Sequence, residues 1–108
     1  MRVIQSADNV LFKTFFSLRS PHHSKKEKLV LVEGMRHVAD LLENGIKPEY
    51  LIFSNDSRGE DAHETLSESA NDLLGGIEDD KVCRLASHLF ERLSDMKTPQ
   101  GIIAVVRP

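Results

Sequence analysis

The chain has 108 residues, 40% of them hydrophobic, and a formal charge of −3. That is one domain with a modest core, and its single cysteine, Cys83, excludes an intrachain disulfide and fits a reducing compartment. No apolar run approaches the roughly 20 residues that span a bilayer, and the segment from Met1 to Ser6 carries no signal-peptide apolar stretch. The expectation is an intracellular protein, cytoplasmic or organellar, with a mitochondrial or chloroplast home compatible with a removed transit peptide.

The distribution of charge says more than the total. Residues 1–48 hold eight Lys and Arg against five Asp and Glu, residues 49–80 one against ten, and residues 81–108 five against two. Two basic ends and an acidic middle give a polarised surface once folded.

The first predicted helix runs from Asn9 to about Leu18, because Leu11, Phe12, Phe15 and Phe16 share one helical face. Asp8 or Asn9 supplies its N-cap, and Pro21 bars its continuation. Arg19 to Lys28 then reads as a basic, polar loop. Leu29 to Val32 is a short apolar run, expected as a strand covered on both faces. Glu33-Gly34 breaks it. Met35, Val38, Ala39 and Leu42 recur at helical spacing, and Gly45 is placed to end that helix in the left-handed conformation.

After Pro48, Tyr50 to Phe53 forms the second strand, and Ser54 to Gly59 a loop. A third helix is expected from Glu60 to about Leu74, with Ala62, Leu66, Ala70 and Leu73 or Leu74 inward and acidic residues in its first turn. Gly75-Gly76 stops it. Lys81 to Leu85 is the third strand. Ser87 caps a short helix through Leu93 that buries Leu89, Phe90 and Leu93. Ile102 to Val106 is the last strand. Alternation of strands and helices implies an α/β layered domain, with four short strands in a largely parallel or mixed sheet covered on both faces.

Three constellations carry the functional reading. In the basic loop, Arg19, Lys25, Lys26 and Lys28, with Lys13 on the preceding helix, suit a phosphate backbone, and His22 and His23 add donors and rings. Glu33-Gly34 hands a strand to a helix, where free backbone N–H groups favour anions and Arg36 lies close by. The Glu33 carboxylate would repel a phosphate, which favours a structural role for it. In the turn Thr98-Pro99-Gln100-Gly101, Gln100 offers a donor and an acceptor beside a fixed Pro99 and a flexible Gly101.

Other chemistries find little footing. His37 and Asp40 share a helix face without a third metal ligand. Cys83 reads as a small buried hydrophobe. His63 and His88 read as surface residues, and no nucleotide-binding glycine motif or nucleophile elbow is present.

The order Asn9, Lys13, Leu18, basic loop, Leu31-Val32-Glu33-Gly34 with Arg36 and Val38, then Leu93-Ser94-Asp95 with Lys97-Thr98-Pro99-Gln100-Gly101-Ile102, resembles the N-terminal substrate-binding domain of SpoU-type RNA 2′-O-ribose methyltransferases. The resemblance covers nearly the whole chain. It implies a three-layer α/β/α sandwich like that of kink-turn-binding ribosomal proteins, with a small mixed four-stranded sheet. It implies structured RNA as the partner, usually ribosomal RNA, no membrane contact, and an RNA-facing surface of Lys13, Arg19, Lys25, Lys26, Lys28, Arg36, Thr98, Gln100 and Gly101. Glu33, Gly34 and Pro99 would be structural.

By the same resemblance, catalysis and S-adenosylmethionine belong to a knotted domain outside these residues. The 108 residues would therefore form one RNA-binding domain with no catalytic group, cofactor or metal of its own, monomeric alone, within a parent that dimerises through the knotted domain. A protein-interaction module on the same fold, using Glu60, Asp61 and Glu64, is the alternative. A free-standing enzyme ranks last.

Overall fold

The computed structural model describes all of residues 1–108. The Asn9 side chain accepts the N–H groups of Leu11 at 2.9 Å and Phe12 at 3.1 Å, and so caps α1 (Val10–Ser17). The predicted basic loop that follows is corrected: residues Pro21–Glu27 form a helix, α2. Pro21 does stop α1, but at the first position of a new helix its fixed φ and missing N–H cost little. Lys25 and Lys26 fall in the last turn of α2, where cations suit the carbonyl end. Lys28 leaves it in the left-handed conformation at φ 56°.

β2 (Val30–Glu33), α3 (Met35–Glu43) and β3 (Tyr50–Ser54) follow the sequence reading closely, and Gly45 turns after α3 at φ 78°. α4 (Ser57–Ser67) begins and ends earlier than the predicted helix from Glu60 to Leu74. The Asp56 carboxylate caps it by accepting the N–H groups of Arg58 and Gly59 at 3.0 and 3.3 Å. Ala70 is exposed, while Leu73 and Leu74 pack half-buried from the turns beyond the helix. A single 3-10 turn, Asp79–Lys81, leads into β4 (Val82–Leu85), then α5 (Ser87–Leu93) and β5 (Ile102–Val106).

A strand absent from the sequence reading, β1 (Arg2–Ile4), precedes α1, so the sheet has five strands rather than four. Only Ile4 of the three points into the core, which leaves no periodicity to detect.

The strand order is β1-β4-β3-β5-β2. β1, β4 and β3 run parallel, and β5 is antiparallel to both β3 and β2. β5 lies between two partners and is buried along its whole length. β2 is an edge strand, and its residues are half-buried rather than covered on both faces. Phe12 and Phe15 of α1 and Leu89, Phe90 and Leu93 of α5 fill one face of the sheet. Val38 of α3 and Ala62 and Leu66 of α4 fill the other. The three-layer α/β/α arrangement is the one the sequence implied.

Cys83 of β4 points into the first of these cores and is fully buried. Burial pushes its thiol up to about 11. Since the thiolate is the reactive form, Cys83 should resist a disulfide reagent at neutral pH in the folded protein. It should react within seconds in denaturant, a difference read by thiol titration.

Candidate nucleic-acid interface

The two sequence motifs meet at one corner of the sheet, where β2 ends and β5 begins. Glu33 and Ile103 are partners in the β2–β5 ladder. One oxygen of the Glu33 carboxylate accepts the Asp95 N–H at 2.9 Å, and the other accepts the Ser94 hydroxyl. The Ser94 Oγ in turn accepts the Met96 N–H at 3.1 Å. The Gly34 N–H donates to the Ile102 carbonyl at 3.2 Å. Gln100 Oε1 accepts the Met35 N–H at 2.7 Å, one of the donors left open at the start of α3.

Glu33 therefore spends its charge on the loop between α5 and β5, which resolves how a carboxylate can sit beside a proposed anion surface. Thr98 and Gln100 are exposed on that loop and Pro99 is half-buried. Arg36, in the first turn of α3, is exposed and makes no ion pair. Lys97, part of the same sequence motif but not among the residues expected to face RNA, is also exposed here.

Gly101 is buried, and its visible role is close packing. At φ 83°, a Cβ on it would lie 2.6 Å from the Gly59 nitrogen and 2.7 Å from the Arg58 carbonyl carbon. The start of β5 thus presses directly on the first turn of α4. The Gly101 carbonyl accepts the Ser54 N–H at 2.9 Å, which ties the same point to β3.

The basic residues fall into separate groups. Lys25 of α2 and Lys28 just beyond it line an open cavity of ≈ 510 Å³ together with Arg107, and Lys26 is exposed on the same helix. Arg107 is partly neutralised by Glu49 at 3.1 Å. Arg107, from the far end of the chain, thus lies beside Lys25 and Lys28. Val30 is paired with Val106 and Glu33 with Ile103, so this group and the Glu33 corner flank opposite ends of the β2 edge, about 10 Å apart along the strand.

Arg19 is already occupied. Its guanidinium lies 2.7 Å from Asp95 and donates to the Arg92 carbonyl at 3.0 Å, which ties the end of α1 to the loop. Lys13 is exposed on α1. The rings of His22 and His23 pack edge to face at 5.6 Å on α2.

Some of the carboxylates lie toward the opposite edge of the sheet. α4, with Glu60, Asp61 and Glu64, packs on β3, and Glu60 lies 3.7 Å from Arg84 of β4. The Asp79 carboxylate pairs with the Met1 amino group, and Arg2 Nε donates to the Asp80 backbone carbonyl at 3.0 Å beside β1. α2 and Lys28 lie beside the start of β2, while α4 packs over β3 and β5, and Glu60 and the Asp79–Lys81 turn lie toward β4 and β1.

Asp56 holds the top of this acidic side together. Its carboxylate accepts Arg58 Nη2 at 2.7 Å and the hydroxyls of Ser54 and Ser87 at 2.8 and 2.9 Å. Ser87 therefore does not cap its own helix. Ala86 occupies that position and the Ser87 side chain bridges α5 to α4. The Arg58 guanidinium, helped by both serines and the Gly59 amide against the opposing effect of burial, holds Asp56 well below the usual carboxylate range.

A carboxyl lowered on folding stabilises fully above its unfolded pKa of about 3.9 and loses that contribution as pH falls toward the lowered value. Stability should therefore decline as pH drops below about 4, and Asp56→Asn should shallow that decline in urea melts followed across acid pH.

No group of three or more His, Cys, Asp or Glu residues is placed to hold a metal ion, and His37 bonds back to the Glu33 carbonyl at 3.2 Å. Gly59 and Gly101 are packed against backbone rather than open as a cradle. The most spacious cavity is an open, lysine-lined surface with one hydrophobic residue.

This fold occurs within RNA methyltransferases. An rRNA methyltransferase from Sinorhizobium meliloti superposes with a TM-score of 0.70 at 17% identity, over 99% of this chain and 37% of that one. An RNA 2′-O ribose methyltransferase gives a TM-score of 0.70 at 19% identity, over 97% of this chain and 37% of its own. The SpoU methyltransferase AviRb from Streptomyces viridochromogenes, solved with AdoMet, gives 0.63 at 20%, over 92% and 33%.

The chain belongs to the MRM3-like substrate binding domain family, whose model matches residues 9–104. It is also 31% identical over 101 residues to rRNA methyltransferase 3A, mitochondrial, of Danio rerio, a match covering 93% of this chain and 21% of that protein. The chain thus spans about a fifth of the length of that curated relative.

Proposed function

We propose that this domain binds structured ribosomal RNA for a SpoU-type 2′-O-ribose methyltransferase and presents a ribose to a catalytic domain elsewhere in the parent protein. Family membership supports the binding role, and the family's substrate-binding designation leaves methyl transfer and S-adenosylmethionine to that other domain. The parent would dimerise through it, while this domain acts as a monomer. The mitochondrial relative favours a mitochondrial location.

The observation that carries the surface assignment is a set of unpaired, exposed cations near β2. Lys25, Lys26 and Lys28 beside the start of β2, and Arg36 in the first turn of α3, are exposed and free of ion pairs, while the carboxylates of α4 stand on a different helix, over β3 and β5. Lys13, Thr98 and Gln100 extend that surface. Arg19 and Gly101 serve it from behind, by fixing the loop and its root.

Phosphate contacts release counterions, and each contributes about 0.7 to 0.9 to the slope of log affinity against log salt. Lys25→Ala, Lys26→Ala and Lys28→Ala together should weaken binding of a structured rRNA fragment roughly tenfold and lower that slope by about two to three units. Fluorescence anisotropy across a salt series measures both. Unchanged affinity and slope would remove α2 from the interface.

A further inference from the structure

Between α1 and α5 lies a feature that none of the contacts above explains. The Arg92 guanidinium carbon sits 5.1 Å from the centre of the Phe16 ring and 5.6 Å from that of Phe12. The two rings, 6.0 Å apart and tilted by 30°, form an aromatic floor near Arg92. Arg19 reaches the same Phe16 ring at 5.6 Å. Its Nη1 donates to the Arg92 carbonyl, which anchors the backbone of Arg92 as well.

The two arginines differ in one respect. Arg19 is paired with Asp95. Arg92 is exposed and has no carboxylate partner, although its neighbour Glu91 is taken by Arg58 at 3.4 Å. A planar cation thus lies close to two rings, exposed and with no carboxylate partner. It also stands two residues before Ser94, at the root of the loop held by Glu33.

The geometry points to Arg92 as a stacking ledge for an unpaired nucleobase of the bound RNA. Guanidinium planes stack on bases much as aromatic rings do, and sequence-reading RNA binders favour bases splayed from bulges and loops. Here the Phe12–Phe16 floor holds the guanidinium in place, so little side-chain freedom remains to be lost on contact. Lysine keeps the charge but not the plane. This inference rests on the proposed RNA-binding role and specifies which part of the RNA is gripped.

The test uses two labelled RNA hairpins, one fully paired and one with an adenosine bulge carrying 2-aminopurine, and the Arg92→Lys protein. The native chain should bind the bulged hairpin more tightly and quench the 2-aminopurine. Arg92→Lys should lose about tenfold in affinity for the bulged hairpin and most of the quenching, with binding of the paired hairpin nearly unchanged. A melting temperature close to that of the native chain shows that the floor survives.

Unchanged quenching and bulge affinity in Arg92→Lys, with both hairpins still bound in a salt-dependent way, would overturn the ledge and leave the RNA role standing. Failure of the native chain to bind either hairpin at low salt would overturn the RNA role itself. An equal loss for both hairpins would make Arg92 a phosphate contact and overturn stacking.

Discussion

Alanine at Gly59 should cost the domain at least about 3 kcal/mol, the upper end of what overpacking a tight site costs. Its Cβ would lie 1.7 Å from the Ser54 carbonyl oxygen and 2.7 Å from both the Ser54 carbonyl carbon and nitrogen. These are backbone atoms of a buried strand, so no side-chain rotation relieves the clash. Ser54 is held in turn by its N–H bond to the Gly101 carbonyl.

Relief therefore requires lifting α4 away from β3 and breaking the Asp56 cap with it. Against a typical total stability of 5–15 kcal/mol, this change should lower the urea midpoint severely or prevent folding. Gly101→Ala should act in the same direction through its 2.6 Å approach to the Gly59 nitrogen. Gly76→Ala is the control: its Cβ would meet nothing within 4 Å, and the melt should barely move. A Gly59→Ala protein that melts within a few degrees of the native chain would refute this close packing.

That three-way junction also marks where sequence reasoning ran out. Gly101 was legible as a turn residue with a possible RNA role, because glycine before an apolar strand signals backbone freedom. Its partner Gly59 is distant in sequence, and nothing local announces that the two approach each other.

The same distinction separates the other readings. The core helices and strands were visible because their apolar residues keep a period, as with Phe12 and Phe15 on α1 or the unbroken run of β5. α2 was not, because Pro21 to Glu27 buries no residue at all and carries no apolar stripe. Its helix shows only in Pro at the first turn and lysines in the last. β1 was too short to show alternation. The Glu33 corner was legible as two motifs in one chain, but the bonds that join them were not. Arg92 left a trace only in hindsight, as a cation one α-helical turn from Leu89 on a helix that packs beside phenylalanines.

Glu33 should be the polar side chain whose loss is felt most at the interface corner. It holds two donors of the α5–β5 loop, the Asp95 amide and the Ser94 hydroxyl, and Ser94 then holds the Met96 amide. Hydrogen bonds to a charged acceptor contribute about 1.5–3 kcal/mol each when one partner is removed. Since Asp95 is exposed and its amide can turn to water, Glu33→Ala should cost about 2–3 kcal/mol in total. Glu33→Gln should recover little, because its NH2 group would face one of the two donors.

The loss should be local first. The Asp95 and Met96 amides should exchange with solvent much faster, while amides of β5 remain protected. RNA affinity should fall because the loop must be ordered on binding, and the salt slope should stay as it was, since no phosphate-contacting cation has changed. Gln100→Ala, which frees only the Met35 amide at the start of α3, should cost about 1 kcal/mol and shift affinity in the same direction by less. A salt slope that drops with Glu33→Ala would mean that the carboxylate acts by steering cations rather than by holding the loop.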